Sequence, residues 1–236
     1  LATASFYASV ANRVSHALDL AGPSLAVDTM CSSSLTAIHL ACQAIRDGEC
    51  EMAIAGGVNV SIHMNKFLTL SQGRFAATDG RCRSFGADGD GYVPGEGVGA
   101  VLLKPLAQAR ADGDIVWGVV RGSALSHGGR TSGYTVPNPV AQGSVVEDAI
   151  RRAGVEAEDI GYIEAHGTGT SLGDPIEVNG LVRAFGGLTK NGANGAAPRA
   201  IGSVKSNIGH LEGAAGIAGV AKVLLQMRHG ELVPTI

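Results

Sequence analysis

Short, nearly all-apolar stretches set between longer segments of helical periodicity constrain this chain more than any other feature. Met52–Ala55, Ala100–Leu103, Val116–Arg121, Tyr162–Glu164 and Ala200–Val204 lack the alternation of a half-exposed strand, so they predict strands in sheets covered on both faces. Helices supply the cover. Ser144 and Glu147 match a capping box opening a helix that carries Val146, Ile150 and Ala153. Asp174-Pro175-Ile176-Glu177 opens another, with Asp174 as the cap, Pro175 at the first helical position and Leu181, Val182 and Phe185 facing inward. A third runs from about Gly213 to Arg228. Such alternation predicts an α/β layered fold. The 35 glycines gather at strand ends and turns, where backbones approach closely or take positive φ.

Two strand-to-helix junctions look alike. Ser24–Val27 leads into a helix whose apolar Leu35, Ile38, Cys42 and Ile45 share one face, and Ala200–Val204 leads through Ser206-Asn207-Ile208-Gly209-His210 into the Gly213 helix. The helices end at Arg46-Asp47-Gly48 and Arg228-His229-Gly230, which hints at a duplicated half. Cys31 lies at the first helix N-terminus, where unpaired N–H groups and the macrodipole favour a thiolate and predict a pKa below the free value of ~8.5. On position alone a buried, inert cysteine stays open as an alternative. His166 follows the apolar Tyr162–Ala165, and His210 closes the second strand-to-loop passage. A lone histidine at a strand end is more often structural, but Cys31, His166 and His210 share one kind of placement, at the edge where functional side chains of layered α/β folds converge.

Composition removes whole classes of function. With 236 residues, 45% of them hydrophobic, and a formal charge of −3, the expectation is one large domain with no basic footprint for nucleic acid and no apolar run long enough for a membrane. Cys31, Cys42, Cys50 and Cys82 lack the paired spacing of a zinc site, and no secretory signal is visible, which fits a reducing cytoplasm. Gly95-Glu96-Gly97-Val98-Gly99 misses the dinucleotide spacing, and Asp88-Gly89-Asp90-Gly91 lacks the later ligands of a calcium loop. No metal is expected. Thr78–Gly99 and Gly186–Pro198 read as long surface loops, and Cys42 as a packing residue.

Three motifs together carry a resemblance: Asp28-Thr29-Met30-Cys31-Ser32-Ser33-Ser34; Glu164-Ala165-His166-Gly167-Thr168-Gly169-Thr170 with Gly173-Asp174-Pro175; and Lys205-Ser206-Asn207-Ile208-Gly209-His210. Over essentially its whole length the chain resembles the β-ketoacyl synthase (ketosynthase) domains of polyketide and fatty-acid synthases. The stretch Asn65–Gly99 looks most like modular polyketide synthases that recruit a separate acyltransferase. The resemblance implies a thiolase-like α-β-α-β-α fold with two pseudo-duplicated halves, both incomplete here, residues 1–105 belonging to the first and 106–236 to the second.

The chemistry so implied is a decarboxylative Claisen condensation. Cys31 would take an acyl chain from a carrier-protein thioester, and a malonyl-type extender would lose CO₂ and attack it. A thiolate both attacks well and leaves well, whereas decarboxylation needs donors aimed at the thioester carbonyl, a role for His166 and His210. Lys205 would join the site against the His166 loop, paired with a carboxylate such as Glu212. Thr168 and Thr170 resemble residues that bind the amides of the phosphopantetheine arm, or else shape the turn. The domain would bind no cofactor of its own, its substrates riding on the phosphopantetheine of an acyl carrier protein, and it would form a homodimer. The chain starts at Leu1 and ends at Val233-Pro234-Thr235-Ile236. Set against the family pattern, this reads as an internal piece without the loop that gives the second oxyanion donor, inactive alone and active in its parent. A Cys–His hydrolase, a non-elongating transferase and a non-catalytic carrier-binding module are the rival readings; the second histidine beside a lysine sets the condensing one apart.

Overall fold

The apolar stretches build two small sheets. β1 (Ala53–Asn59) and β2 (Gly97–Leu103) pair antiparallel, with Ala53 opposite Leu103, while β3 (Tyr162–Glu164) and β4 (Ala200–Gly202) pair parallel. This computed structural model describes residues 6–188 and 198–236, so residues 189–197 of the expected Gly186–Pro198 loop lie outside the described residues. Ser24–Val27 and Val116–Arg121 carry no regular secondary structure and join no sheet among the described residues. Both expected strands are corrected for one reason: an apolar run suits a pleated surface, yet only a ladder partner makes it a strand.

The helices are α1 (Ala8–Ala17), α2 (Ser33–Arg46), α3 (Met64–Gln72), α4 (Leu106–Ala111), α5 (Pro139–Ala153), α6 (Gly173–Leu188), α7 (Lys205–Ile208) and α8 (Ala215–His229). α2 and α8 cover one face of β1–β2, where Ile38, Ala55, Leu211, Ala214 and Ile217 form a buried core flanked by Val101 and Leu103. The α8 residue Ile217 donates its N–H to Ser34 Oγ at 3.0 Å, tying the two helices together. Backbone crowding explains one glycine here: a Cβ on Gly57 would sit 2.6 Å from the Gly213 carbonyl oxygen. Ile54, Val58, Val98 and Leu102, at least 42% exposed, leave the other face of the sheet bare among the described residues, where cover on both faces was expected. A second core, Ile150, Ala157 and Phe185, joins α5 and α6.

Two helix starts differ from the sequence reading. α5 begins at Pro139, with Asn138 Oδ1 accepting from Val140 N and Ala141 N at 3.0 and 3.3 Å. Ser144 therefore lies inside the helix, because Asn-Pro combines a strong cap with a residue preorganised for the first position. At α6 the oxygen that receives Gly173 N is Thr170 Oγ1, at 3.1 Å. Asp174 turns away from its own helix and accepts from Gly169 N, Thr170 N and Phe85 N. Thr78–Gly99 is likewise no detached surface loop. Cys82 and Ser84 are buried in it, Tyr92 is half-buried, and bridges tie Asp90 to Thr170 and Pro94 to His210 before it becomes β2.

Candidate active site

Cys31 sits in a single 3₁₀ turn, Met30–Ser32, directly ahead of α2. Met30 has a φ of 55°, and its N–H is held by Asp28 Oδ1 at 2.9 Å. His210 faces the thiol, with Nε2 3.1 Å from Cys31 Sγ. Its backbone is pinned on both sides: His210 N donates to Val93 O at 2.7 Å, and Gly95 N donates to His210 O at 2.9 Å. His210 Nδ1 accepts the Glu212 N–H at 2.9 Å. A neutral imidazole has one acceptor and one donor nitrogen, so this contact places the ring proton on Nε2, aimed at the sulfur.

His166 completes the cluster. Its ring stands edge-on to His210 with centroids 5.3 Å apart, and the ligand atoms of Cys31, His166 and His210 all lie within 4.8 Å of one another. The His166 loop is fastened from several directions. Glu177 accepts from His166 N and Gly167 N at 2.6 and 2.8 Å, Ser84 Oγ donates to Gly167 O at 2.5 Å, and Cys82 Sγ donates to Thr168 O at 3.2 Å. Thr168 Oγ1 and Thr170 Oγ1 are 3.2 Å apart. With Gly173 N also on Thr170, both hydroxyls help to shape the turn.

Burial dominates the electrostatics. It holds His210, 1% exposed, down at about 3, with the neighbouring His166, Lys205 and Lys66 acting in the same direction. His166 keeps an open face to solvent, yet desolvation on its other sides and the Lys205 charge hold it near 4. Both imidazoles are therefore neutral at pH 7. Lys205 is buried and pushed down by desolvation, while the carboxylates of Glu177 and Glu164 pull it back up. Burial also pushes the Cys31 thiol up, helped by Glu212 and opposed by Lys205 and by Cys31's own N–H. This corrects the expected depressed pKa: the helix-terminal position is real, but desolvation outweighs it.

Glu212 is not the partner of Lys205. Its carboxylate pairs with Lys66 at 2.8 Å, and the carboxylates that act on Lys205 are Glu177 and Glu164. Glu164 is itself braced, accepting from Val204 N at 2.6 Å and pairing with Lys222 at 2.8 Å. Sequence reasoning passed over Lys66, Cys82, Ser84, Tyr92 and Glu177. Only Glu177 carried a local signal, since it closes the Gly173–Glu177 run. Tyr92 stacks at a tilt on His210 with centroids 4.8 Å apart, and burial, Glu212 and Cys31 push its phenol up. The three-residue cluster has the spacing of a metal site, but His210 does not suit one. A metal on Nε2 would drive the ring proton to Nδ1, against the Glu212 N–H, and Lys205 would repel the ion.

The site thus joins a thiol, two neutral imidazoles and a buried lysine at the meeting of two like helix entries. The model for "Beta-ketoacyl synthase, N-terminal domain" matches residues 1–109, and that for "Beta-ketoacyl synthase, C-terminal domain" matches residues 117–236. The chain belongs to the β-ketoacyl synthase family. This ketosynthase chain is 65% identical over 229 residues to polyketide synthase ThaG of Burkholderia thailandensis and 61% identical over 228 residues to polyketide synthase PksL of Bacillus subtilis. Each alignment covers 97% of the chain and only 4% and 5% of those relatives. Among solved structures, the oxazolomycin ketosynthase domain of Streptomyces albus matches with a TM-score of 0.94 and 62% identity, covering 98% of this chain and 39% of that one. The ketosynthase from module 6 of the Bacillus subtilis bacillaene synthase matches at 0.94 and 42%, covering 99% and 41%. The fold is thus the layered α/β, thiolase-like one, and the chain is similar to ketosynthase domains of modular polyketide synthases. None of the described helices is long and apolar enough to cross a membrane.

Proposed function

We propose that this ketosynthase chain is the acyl-accepting and condensing part of a 3-oxoacyl-[acyl-carrier-protein] synthase within a polyketide synthase. The observation that carries the reading is the Nε2–H of a buried, neutral His210 held 3.1 Å from Cys31 Sγ, with His166 beside it. Cys31 Sγ attacks the acyl thioester, the bond from the acyl carbon to the carrier sulfur breaks as the Cys31 thioester forms, and the Cys31 proton passes to the departing carrier sulfur. The malonyl C–CO₂ bond then breaks, and its electron pair becomes an enolate whose oxygen is met by the N–H donors of His166 and His210. The enolate carbon attacks the Cys31 thioester, a carbon–carbon bond forms, and the Cys31 thiolate leaves. Neutral donors suit this step, because they stabilise developing charge without surrendering a proton beforehand.

Lys205 supplies positive charge to the Cys31 thiolate and braces the His166 loop through Glu177. Thr168 and Thr170 bind the amides of the phosphopantetheine arm at the edge of the turn they shape. The domain carries no cofactor of its own, works with an acyl carrier protein as a cytoplasmic homodimer, and receives its extender through a separate acyltransferase. Its halves divide near residue 105. Because the chain spans about two fifths of the solved ketosynthase chains and one face of β1–β2 is bare among the described residues, we assign the activity to the parent synthase and not to the isolated chain.

Intact-mass spectrometry of the complete parent domain tests the reading. An acyl thioester is offered first and malonyl-loaded carrier protein second, to wild type beside Cys31→Ala. The expected result is a Cys31-dependent adduct that disappears as a β-ketoacyl carrier forms. An adduct that only hydrolyses, or passes unchanged to the carrier, points to a hydrolase or a non-elongating transferase, and no adduct removes the nucleophile.

A further inference from the structure

We propose that the Lys66–Glu212 ion pair is a positioning device for His210: it holds the strained turn that Glu212 opens, in which the Glu212 N–H meets His210 Nδ1, fixing the ring proton on the Nε2 that faces Cys31. The inference rests on the condensing reading above. Its starting point is strain. Glu212 has a φ of 44°, a conformation that glycine tolerates and a side chain with a Cβ resists. In the turn that it opens, its N–H reaches His210 Nδ1 at 2.9 Å.

The offsetting contacts form a closed circuit around His210. Glu212 Oε2 pairs with Lys66 Nζ at 2.8 Å, both side chains about a quarter exposed at 26% and 24%. Lys66 Nζ also donates to Asn59 Oδ1 at 2.9 Å, Asn59 Nδ2 donates to Gly95 O at 2.7 Å, and Gly95 N donates to His210 O at 2.9 Å. The circuit links α3, the end of β1 and the approach to β2 to the one backbone N–H that decides the His210 tautomer. The first helix entry shows why the second needs the brace. Met30, at a φ of 55°, has no ion pair, but its N–H is received by the Asp28 carboxylate at 2.9 Å. A charged acceptor forms a stronger bond than a neutral ring nitrogen, so at His210 the strain is offset by a side-chain anchor as well.

The test uses the complete ketosynthase domain in its parent protein and compares kcat and KM for decarboxylation of malonyl-loaded carrier protein. Glu212→Ala and Lys66→Met are expected to lower kcat about tenfold, the size of a left-handed penalty no longer offset, with KM within about twofold. Glu212→Gly recovers most of what Glu212→Ala loses, because glycine takes positive φ without an anchor. Adding Lys66→Met to Glu212→Gly then changes little, and Lys66→Arg restores what Lys66→Met loses. Glu212→Gly as slow as Glu212→Ala would overturn the inference by showing that the carboxylate itself is needed, as would Lys66→Met at the wild-type rate. Wild-type protein that neither decarboxylates nor condenses would instead overturn the condensing reading beneath it.

Discussion

Met30 stands to α2 as Glu212 stands to α8. Each opens a three-residue 3₁₀ turn with a positive φ, 55° and 44°, and each donates its N–H to a side chain two residues back, Asp28 in one case and His210 in the other. The correspondence runs on at a constant offset, Ser33 with Ala215, Arg46 with Arg228, and Gly48 with Gly230, where both chains leave their helices at φ 76° and 66°. Two of the differences between the copies bear on the chemistry. Gly213 stands where Cys31 would be, and Asp28 stands where His210 would be. The turn therefore needs an acceptor at its first position and no side chain at its fourth. The thiol, and the second nitrogen of the imidazole, are what the geometry does not require and the chemistry does.

The largest expected effect follows from the fourth position. In the complete ketosynthase domain, Cys31→Gly copies the residue of the other junction, so it should fold with a near-normal melting temperature and yet form no acyl adduct by intact mass. Retained acylation would break the assignment. Next in size is acid stability. His210 stays neutral in the folded state down to about pH 3, whereas an unfolded histidine protonates near pH 6.5. Between those values the unfolded state binds the extra proton, so stability falls as pH falls, by about 5 kcal/mol in all for this group. Denaturant unfolding of wild type and His210→Asn at several pH values should show the steeper acid loss in wild type.

Smaller effects sharpen the same comparison. Lys205 is the cation that favours the Cys31 thiolate, so Lys205→Met should slow alkylation of Cys31 by iodoacetamide at pH 7, by several-fold, without moving the site of modification. Faster alkylation would contradict the sign. Smallest of all, Gly48→Ala and Gly230→Ala each place a Cβ in open space at positive φ, and each should cost about 1–2 kcal/mol. Unequal losses, read by chemical denaturation, would show that the two helix exits are not equivalent.

What could be read in the sequence was local. Cys31, His166 and His210 each lie in a contiguous motif, and β3 emerged with the predicted bounds, Tyr162–Glu164. Contacts across the chain left no such trace. Ser84 reaches Gly167 and Cys82 reaches Thr168 from a stretch whose composition suggests an exposed loop, and Lys66 meets Glu212 from the other half of the molecule. The direction of the Cys31 pKa failed for a related reason: a helix terminus is visible in a pattern, but burial and the charge of Glu212 are not. Val116–Arg121 has the composition of a strand, and composition cannot supply the neighbour that a ladder needs.

The account turns on His210 doing two jobs, accepting the Glu212 N–H as Asp28 accepts that of Met30, and donating towards Cys31 as Asp28 cannot. His210→Asn separates them, since asparagine keeps a side-chain acceptor for the turn but has no donor that reaches as far as Nε2. The measurement is the rate of CO₂ release from malonyl-loaded carrier protein by the complete domain. The account predicts a fall of about 10²–10³, as for the loss of one oxyanion donor, with the melting temperature close to wild type. Release at the wild-type rate would contradict it.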